Sequence, residues 1–264
     1  MTVATDFVHD IVGNLVFDGA YWYQYDAWNR LLQVNHAGTL SATDFLTNGQ
    51  LDPEPGHEPG ELVARFAYDG LGRLIHKQGT LDSGQLLKED YYYDGVRRIQ
   101  AAIQRPPAAP PPPPPPESMF EMMGFFGGVW GRTEREYVYG PEYVDEFAFV
   151  LDEAGDAFYV LQDANYNVMA LVDAAAEVVE QYVYGPYGDL VPVHADNPAD
   201  PLARMGHQGL FFARLDGWAD DPPMVPGAVG LYYNRNRWYS PHLGRFIERD
   251  VNETALPIIS ALAF

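Results

Sequence analysis

Side chains able to act on a substrate are scattered along this sequence and match no catalytic spacing. His9, His36, His57, His76, His194, His207 and His242 include no HExxH and no H-x-H pair, so no two of them are placed to share a metal. Ser41, Ser83, Ser118, Ser240 and Ser260 lie outside any G-x-S-x-G turn that would expose a nucleophile. Asp216, Asp220 and Asp221 put three carboxylates in LDGWADDPP, but not at the D-x-[DN]-x-[DN]-G spacing of a calcium loop. Asp52, Glu54, Glu58 and Glu61 sit among prolines and glycines, the composition of a solvated loop. GFFGGVWG, residues 124–131, lacks the Lys-Ser/Thr of a phosphate loop. Cysteine is absent, which excludes disulfides and thiolate metal sites. The expectation is no catalytic residue, no metal and no cofactor.

One stretch is chemically dense. GLYYNRNRWYSPHLGRFIERD, residues 230–250, interleaves Tyr232, Tyr233, Trp238, Tyr239 and Phe246 with Arg235, Arg237, Arg245 and Arg249. Stacking rings and cations of this kind suit single-stranded nucleic acid. The net charge of -21, from 37 acidic against 16 basic residues, opposes phosphate binding, so the reading is wall material with no nucleic-acid partner. The N-terminus has no basic region ahead of an apolar run. No window approaches the roughly 18 apolar residues of a spanning helix, so neither a signal peptide nor a membrane span is expected.

The elements that must position these residues are strands. Hydrophobic content of 47% supports a core, while 14% aromatics with 25 Gly and 22 Pro favours strands joined by turns. An aromatic, one residue, then Tyr recurs at Tyr23 and Tyr25, Phe66 and Tyr68, Tyr91 and Tyr93, Tyr137 and Tyr139, and Tyr182 and Tyr184. Residues i and i+2 of a strand share a face, so each pair forms an aromatic rung. Three copies continue with Asp and then Arg: Tyr25, Asp26 and Arg30; Tyr68, Asp69 and Arg73; Tyr93, Asp94 and Arg98. Each Asp opens an Asx or type I turn, Asn29 and Gly72 close two of them in the left-handed region, and each Arg begins the return strand near its Asp, covering aromatic faces. AFYVLQD and VVEQYVY read as short antiparallel strands, and Ala174 to Val179 is too short for a convincing helix.

RPPAAPPPPPPPE from Arg105 interrupts the pattern with a polyproline II run, followed by a Gly-rich apolar stretch. The expected organisation is repeats over 1–104, a Pro/Gly-rich insertion over 105–132, a second repeat-bearing part over 133–250 and a tail over 251–264.

On these residues the chain resembles the Rhs and YD-repeat family of bacterial Rhs proteins, insecticidal toxin C components and the teneurin shell. DIVGNLVFDGAYWYQYDAWNRLLQV is similar to a YD repeat. YVYGPEYVDE, LQDANYNVMALVD, YVYGPYG and the stretch over 230–250 are similar to the Rhs core-associated domain. That stretch carries Gly230, Leu231, Tyr232, Tyr233, Arg235, Arg237, Tyr239, Pro241, Gly244, Arg245, Phe246, Arg249 and Asp250. The resemblance implies an all-β fold of antiparallel hairpins in part of a curled shell with an inserted Pro-rich loop. It implies a structural, non-enzymatic role: enclosing or presenting a polypeptide for toxin delivery or intercellular competition. The implied partners are other YD segments or an encapsulated or C-terminal polypeptide, and the implied location is secreted or cell-surface. A carbohydrate- or protein-binding surface module and a degenerate aspartate autoprotease remain open alternatives. For the latter, Asp250 matches a family aspartate but VNETALPIISALAF supplies no cleavage segment. Tyr166, Ala176 and Arg97 stand where family repeats usually have Gly, so those three turns are expected to use other chemistry or to be distorted.

Overall fold

The computed structural model describes residues 7–80, 86–105, 131–196, 202–215 and 230–250. The proline run, the Gly-rich stretch up to Trp130, the Asp216–Asp221 segment and the tail after Asp250 lie outside them. Among the described residues there is no α-helix, only two 3-10 turns, Ala42–Asp44 and His207–Gly209.

Fourteen strands form one antiparallel sheet in chain order, each paired to the next. They are β1 (Val8–His9), β2 (Leu15–Phe17), β3 (Tyr21–Tyr25), β4 (Leu31–His36), β5 (Leu62–Tyr68), β6 (Leu74–Thr80) and β7 (Leu86–Asp94). They continue as β8 (Arg97–Arg105), β9 (Gly131–Tyr139), β10 (Phe147–Leu151), β11 (Ala157–Gln162), β12 (Val168–Val172), β13 (Val178–Tyr184) and β14 (Leu190–Ala195). This sheet is not closed into a barrel. β8 pairs with β9, so the sheet runs straight across the 105–132 insertion. A second sheet holds β15 (Phe211–Arg214), β16 (Gly230–Asn234), β17 (Arg237–Ser240) and β18 (Arg245–Phe246).

The hairpin turns explain the regular winding. Asp26 Oδ1 accepts the backbone N–H groups of Trp28 (2.8 Å) and Arg30 (3.0 Å), and Asp69 Oδ1 accepts those of Leu71 and Arg73 (2.9 Å each). Asp10, Asp152, Asp163 and Asp173 each accept the N–H groups two and four residues on in the same way. In all six turns the residue three after the Asp is left-handed: Gly13, Asn29, Gly72, Gly155, Tyr166 and Ala176. The carboxylate satisfies the turn's free donors, which is why Asp outweighs the strain of a Tyr or Ala at positive φ.

DGVR differs. β7 ends at Asp94 opposite Arg97, leaving a two-residue turn with Gly95 left-handed (φ 58°). Arg97 therefore takes no left-handed conformation, and this shorter turn shifts the arginine roles by one residue.

The core is the tyrosine face. Tyr23, Phe66, Tyr91, Tyr137 and Tyr182 are buried, with Tyr25, Tyr68, Tyr93, Tyr139 and Tyr184 packed beside them. Buried residues of the second sheet, including Leu231, Tyr233, Trp238 and Ile247, belong to the same cluster. The small sheet thus covers the rungs of the large one.

Candidate functional site

Each rung is tied to the hairpin before it. The hydroxyl of Tyr25 donates to Leu15 O (2.7 Å), Tyr68 to Leu31 O (2.8 Å), Tyr93 to Leu74 O (2.8 Å), Tyr139 to Arg98 O (2.9 Å) and Tyr184 to Val168 O (2.6 Å). The acceptor is always the residue that opens, or lies one past the opening of, the preceding return strand. Burial pushes the hydroxyls of Tyr25, Tyr68, Tyr139 and Tyr184 above the ordinary phenol range, so they stay protonated donors at neutral pH.

Arginines tie the turns in the opposite direction. Arg30 binds its own Asp26 (Nε to Oδ2, 2.7 Å), donates to Asp69 O in the next turn (3.3 Å) and lies 5.0 Å over Tyr68. Arg73 binds Asp69 (2.7 Å), donates to Gly95 O (2.8 Å) and lies 5.2 Å over Tyr93. In the third repeat Arg97 takes this place, donating to Gly140 O (3.2 Å) and lying 4.9 Å over Tyr139. Arg98, the expected partner of Asp94, instead turns into the core between Tyr91 (3.7 Å) and Phe211 (4.0 Å).

Removing one rung hydroxyl tests this ladder. Tyr184→Phe leaves the buried Val168 carbonyl without its donor and is expected to cost about 1 kcal/mol in denaturant unfolding. Tyr92→Phe, on an exposed ring, is expected to cost nothing measurable.

Residues 230–250 form the cover. Trp238 Nε1 donates to Tyr68 Oη (2.9 Å), and its ring packs on Phe66 (4.7 Å) and Tyr233 (5.0 Å). Tyr233 Oη accepts the Leu74 N–H (2.9 Å) and reaches Gly72 O (3.3 Å). Arg235, left-handed at the β16–β17 turn, grips Asp145 with one Nη2 to both oxygens (2.7 Å each), and Arg237 pairs with Asp250 (3.1 Å). Burial pushes Asp145 up even so.

The cover joins both ends of the large sheet. At the first hairpin, Ile247 O accepts the Leu15 N–H (2.8 Å), the Arg249 N–H donates to Asn14 Oδ1 (3.2 Å), and Arg245 donates to His9. At the last hairpin, Tyr232 donates to Gly188 O (3.0 Å), Tyr239 donates to Tyr187 O (2.9 Å), and Gly244 packs on the Tyr187 ring. Gly244 and Arg245 are neighbours in sequence, so β1–β2 and β13–β14 meet across one segment. Pro241 and Gly244 frame the turn between β17 and β18, with the Gly244 N–H bonded to Pro241 O (3.2 Å).

A layer of buried charge lies beside the tyrosines and was not anticipated. Glu89, Arg135 and Glu180 each stand two residues before a rung tyrosine, on the same strand face. Lys77 sits 3.7 Å from Glu89. Burial pulls Lys77 down to about 8, while burial pushes Glu89 up but the Lys77 and Arg204 charges outweigh it and hold it low. Glu180 accepts from Tyr182 (2.5 Å) and from the Leu202 and Ala203 N–H groups, yet burial still raises it. The charge-x-Tyr-x-Tyr spacing in EDYYY, REYVY and EQYVY was the available signal. Asp52, Glu54, Glu58 and Glu61 are exposed, whereas Asp44, outside that cluster, is fully buried and held well below its ordinary value by the Glu54 and Ser41 N–H groups and His57.

No family model matches the chain. It is 26% identical over 239 residues to the double-stranded DNA deaminase toxin A of Burkholderia cenocepacia (strain H111), covering 86% of this chain. It is 35% identical over 86 residues to the putative uncharacterized protein YibJ of Escherichia coli (strain K12), covering 26% of this chain. The chain spans 15% and 37% of the lengths of these relatives. Among solved structures it matches the TcdB2-TccC3-TEV crystal structure with a TM-score of 0.54 and 14% identity, over 90% of this chain and 9% of that one. Among the described residues no helix is long and apolar enough to cross a membrane. The TcdB2-TccC3-TEV likeness is one of fold, and at that coarse level it supports a β-shell architecture.

Proposed function

We propose that this chain is a non-catalytic wall segment of a toxin-associated β-shell, which encloses or presents a polypeptide. The observation that carries the reading is the repeated tyrosine ladder covered by the sheet over 230–250. A wall needs one residue pattern at every hairpin, so that each turn locks to the next, and that is how the tyrosines and turn arginines are used. The relative named as a toxin and the TcdB2-TccC3-TEV likeness agree with such a setting. Under this reading strands β1 to β14 are the wall and β15 to β18 its cover, the chain's partners are other YD-type segments or an enclosed polypeptide, and its place is outside the cell or at its surface. Asp250 serves as the ion-pair partner of Arg237.

A second reading, a carbohydrate-binding surface, rests on the exposed rings of Trp28 and Tyr187 at two hairpin tips. Co-expression with the polypeptides encoded on either side of it separates the two. A wall segment is expected to co-purify with one of them in a trypsin-resistant form, without binding a glycan array. Array binding lost in Trp28→Ala, with no co-purifying polypeptide, would overturn the shell reading.

A further inference from the structure

Where the turn rim meets the cover there is a cavity of about 370 Å³. Its polar lining is unbalanced: Arg73, Arg97, Arg98 and Arg235 face Asp145 as the one carboxylate. Two of the four guanidiniums are already answered, Arg73 by Asp69 and Arg235 by Asp145. The other two are not. Arg97 spends Nη2 on the Gly140 and Tyr143 carbonyls (3.2 and 3.0 Å), and Arg98 has only the Tyr93 hydroxyl, 3.4 Å from Nε and Nη2. Among the described residues neither is in an ion pair, although Arg98 is only 5% exposed. Withdrawing the Arg98 guanidinium from water is costly, and the more distant Glu89 carboxylate and the aromatic faces offset only part of that cost. Arg97 and Arg98 line the same cavity from the rim and from the core side, and guanidinium N–H groups are suited to a planar two-oxygen anion.

The rest of the lining defines the body attached to such an anion. Leu71, Val96, Leu210 and Phe211 supply apolar wall beside the arginines, a mixture typical of sites that orient an apolar ligand by a few polar groups. A bare inorganic anion would leave that wall unused.

We propose that this cavity is a binding site for a carboxylate carried on an apolar arm, such as the C-terminal residue of a peptide. Arg97 and Arg98 bind the carboxylate, and Leu71, Val96 and Leu210 hold the arm. The site stands on its own residues and holds whatever the shell encloses.

Calorimetric titration of the full chain with N-acetyl-leucine, N-acetyl-leucinamide and inorganic phosphate tests the assignment. The acid is expected to bind, with the amide and phosphate at least about tenfold weaker. Arg97 is partly exposed, so R97Q is expected to keep the circular dichroism of the parent and weaken the acid by about tenfold, or about 1.4 kcal/mol. Val96→Glu, at an exposed turn position, brings a carboxylate of its own to the mouth and is expected to weaken the acid similarly. Equal binding of acid and amide, tighter binding of phosphate, no binding at all, or full affinity in both folded variants would overturn the proposal.

Discussion

Trp238→Ala is expected to lower unfolding free energy by about 3–5 kcal/mol, the cost of emptying a large buried aromatic site. Trp238 is 1% exposed and contacts the two sheets at once: Phe66 on the wall, Tyr233 within the cover, and Tyr68 through its indole N–H. Truncation leaves a cavity and removes the donor to a hydroxyl that itself ties β5 back to Leu31. Neighbouring strands are held by backbone ladders and cannot collapse inward to fill the space. Trp28→Ala, at a turn tip where the ring is 72% exposed, is the matched control and is expected to change stability by less than about 0.5 kcal/mol. Denaturant unfolding of both variants reads the result. A Trp238→Ala protein as stable as its parent would mean that the small sheet is not bound to the wall.

The second large effect is set by pH. Glu248 is buried, with Oε2 accepting the Trp238 N–H at 2.7 Å and Oε1 without a hydrogen-bond partner among the described residues. Burial raises it from 4.5 to about 8, against the opposing backbone bonds from Trp238 and Glu248 itself. Below pH 4.5 the acid is protonated whether the chain is folded or not, and its contribution does not vary. Between pH 4.5 and about 8 the unfolded chain releases this proton while the folded chain keeps it. Stability then falls by about 1.4 kcal/mol per pH unit, a loss on the order of 4 kcal/mol by pH 8. Lys77 acts above this window: pulled down to about 8 by burial, it makes stability rise with pH from about 8 towards 10.5. Glu248→Gln mimics the protonated acid. It is expected to match the parent near pH 4.5 and to exceed it by several kcal/mol near pH 8. Parallel unfolding curves for the two proteins across that range would show that Glu248 ionises freely in the folded state.

What the sequence disclosed follows from how local each interaction is. An Asp that accepts from the second and fourth residues after it, with a left-handed residue between, is written within five positions, so the turns at Asp26 and Asp69 were legible. The same device at Asp10, Asp152, Asp163 and Asp173 was overlooked because no Tyr-Asp or Arg marks it. The third repeat misled because DGVR makes a shorter turn, which hands the rim position to Arg97 and sends Arg98 inward. The rungs were legible from their period of two, and extending that period by one step would have exposed Glu89, Arg135 and Glu180. Nothing local announces that Trp238 meets Tyr68 across 170 positions or that Arg245 meets His9 across 236. Those pairings depend on how far the twist of fourteen strands carries the sheet around.

That curvature can be measured as a single distance. The chain has no cysteine, so spin labels can be placed at Ile11→Cys and Pro186→Cys, both exposed, on the first and last hairpin turns. A sheet curled so that Gly244 and Arg245 touch its two ends predicts a label separation below about 25 Å, since adjacent Cα atoms are about 3.8 Å apart. An open sheet would place the same turns twelve strand spacings apart, about 58 Å at roughly 4.8 Å per strand. A short distance in pulsed dipolar spectroscopy is the predicted result, and a distribution centred near 50–60 Å would contradict the wall and its cover together.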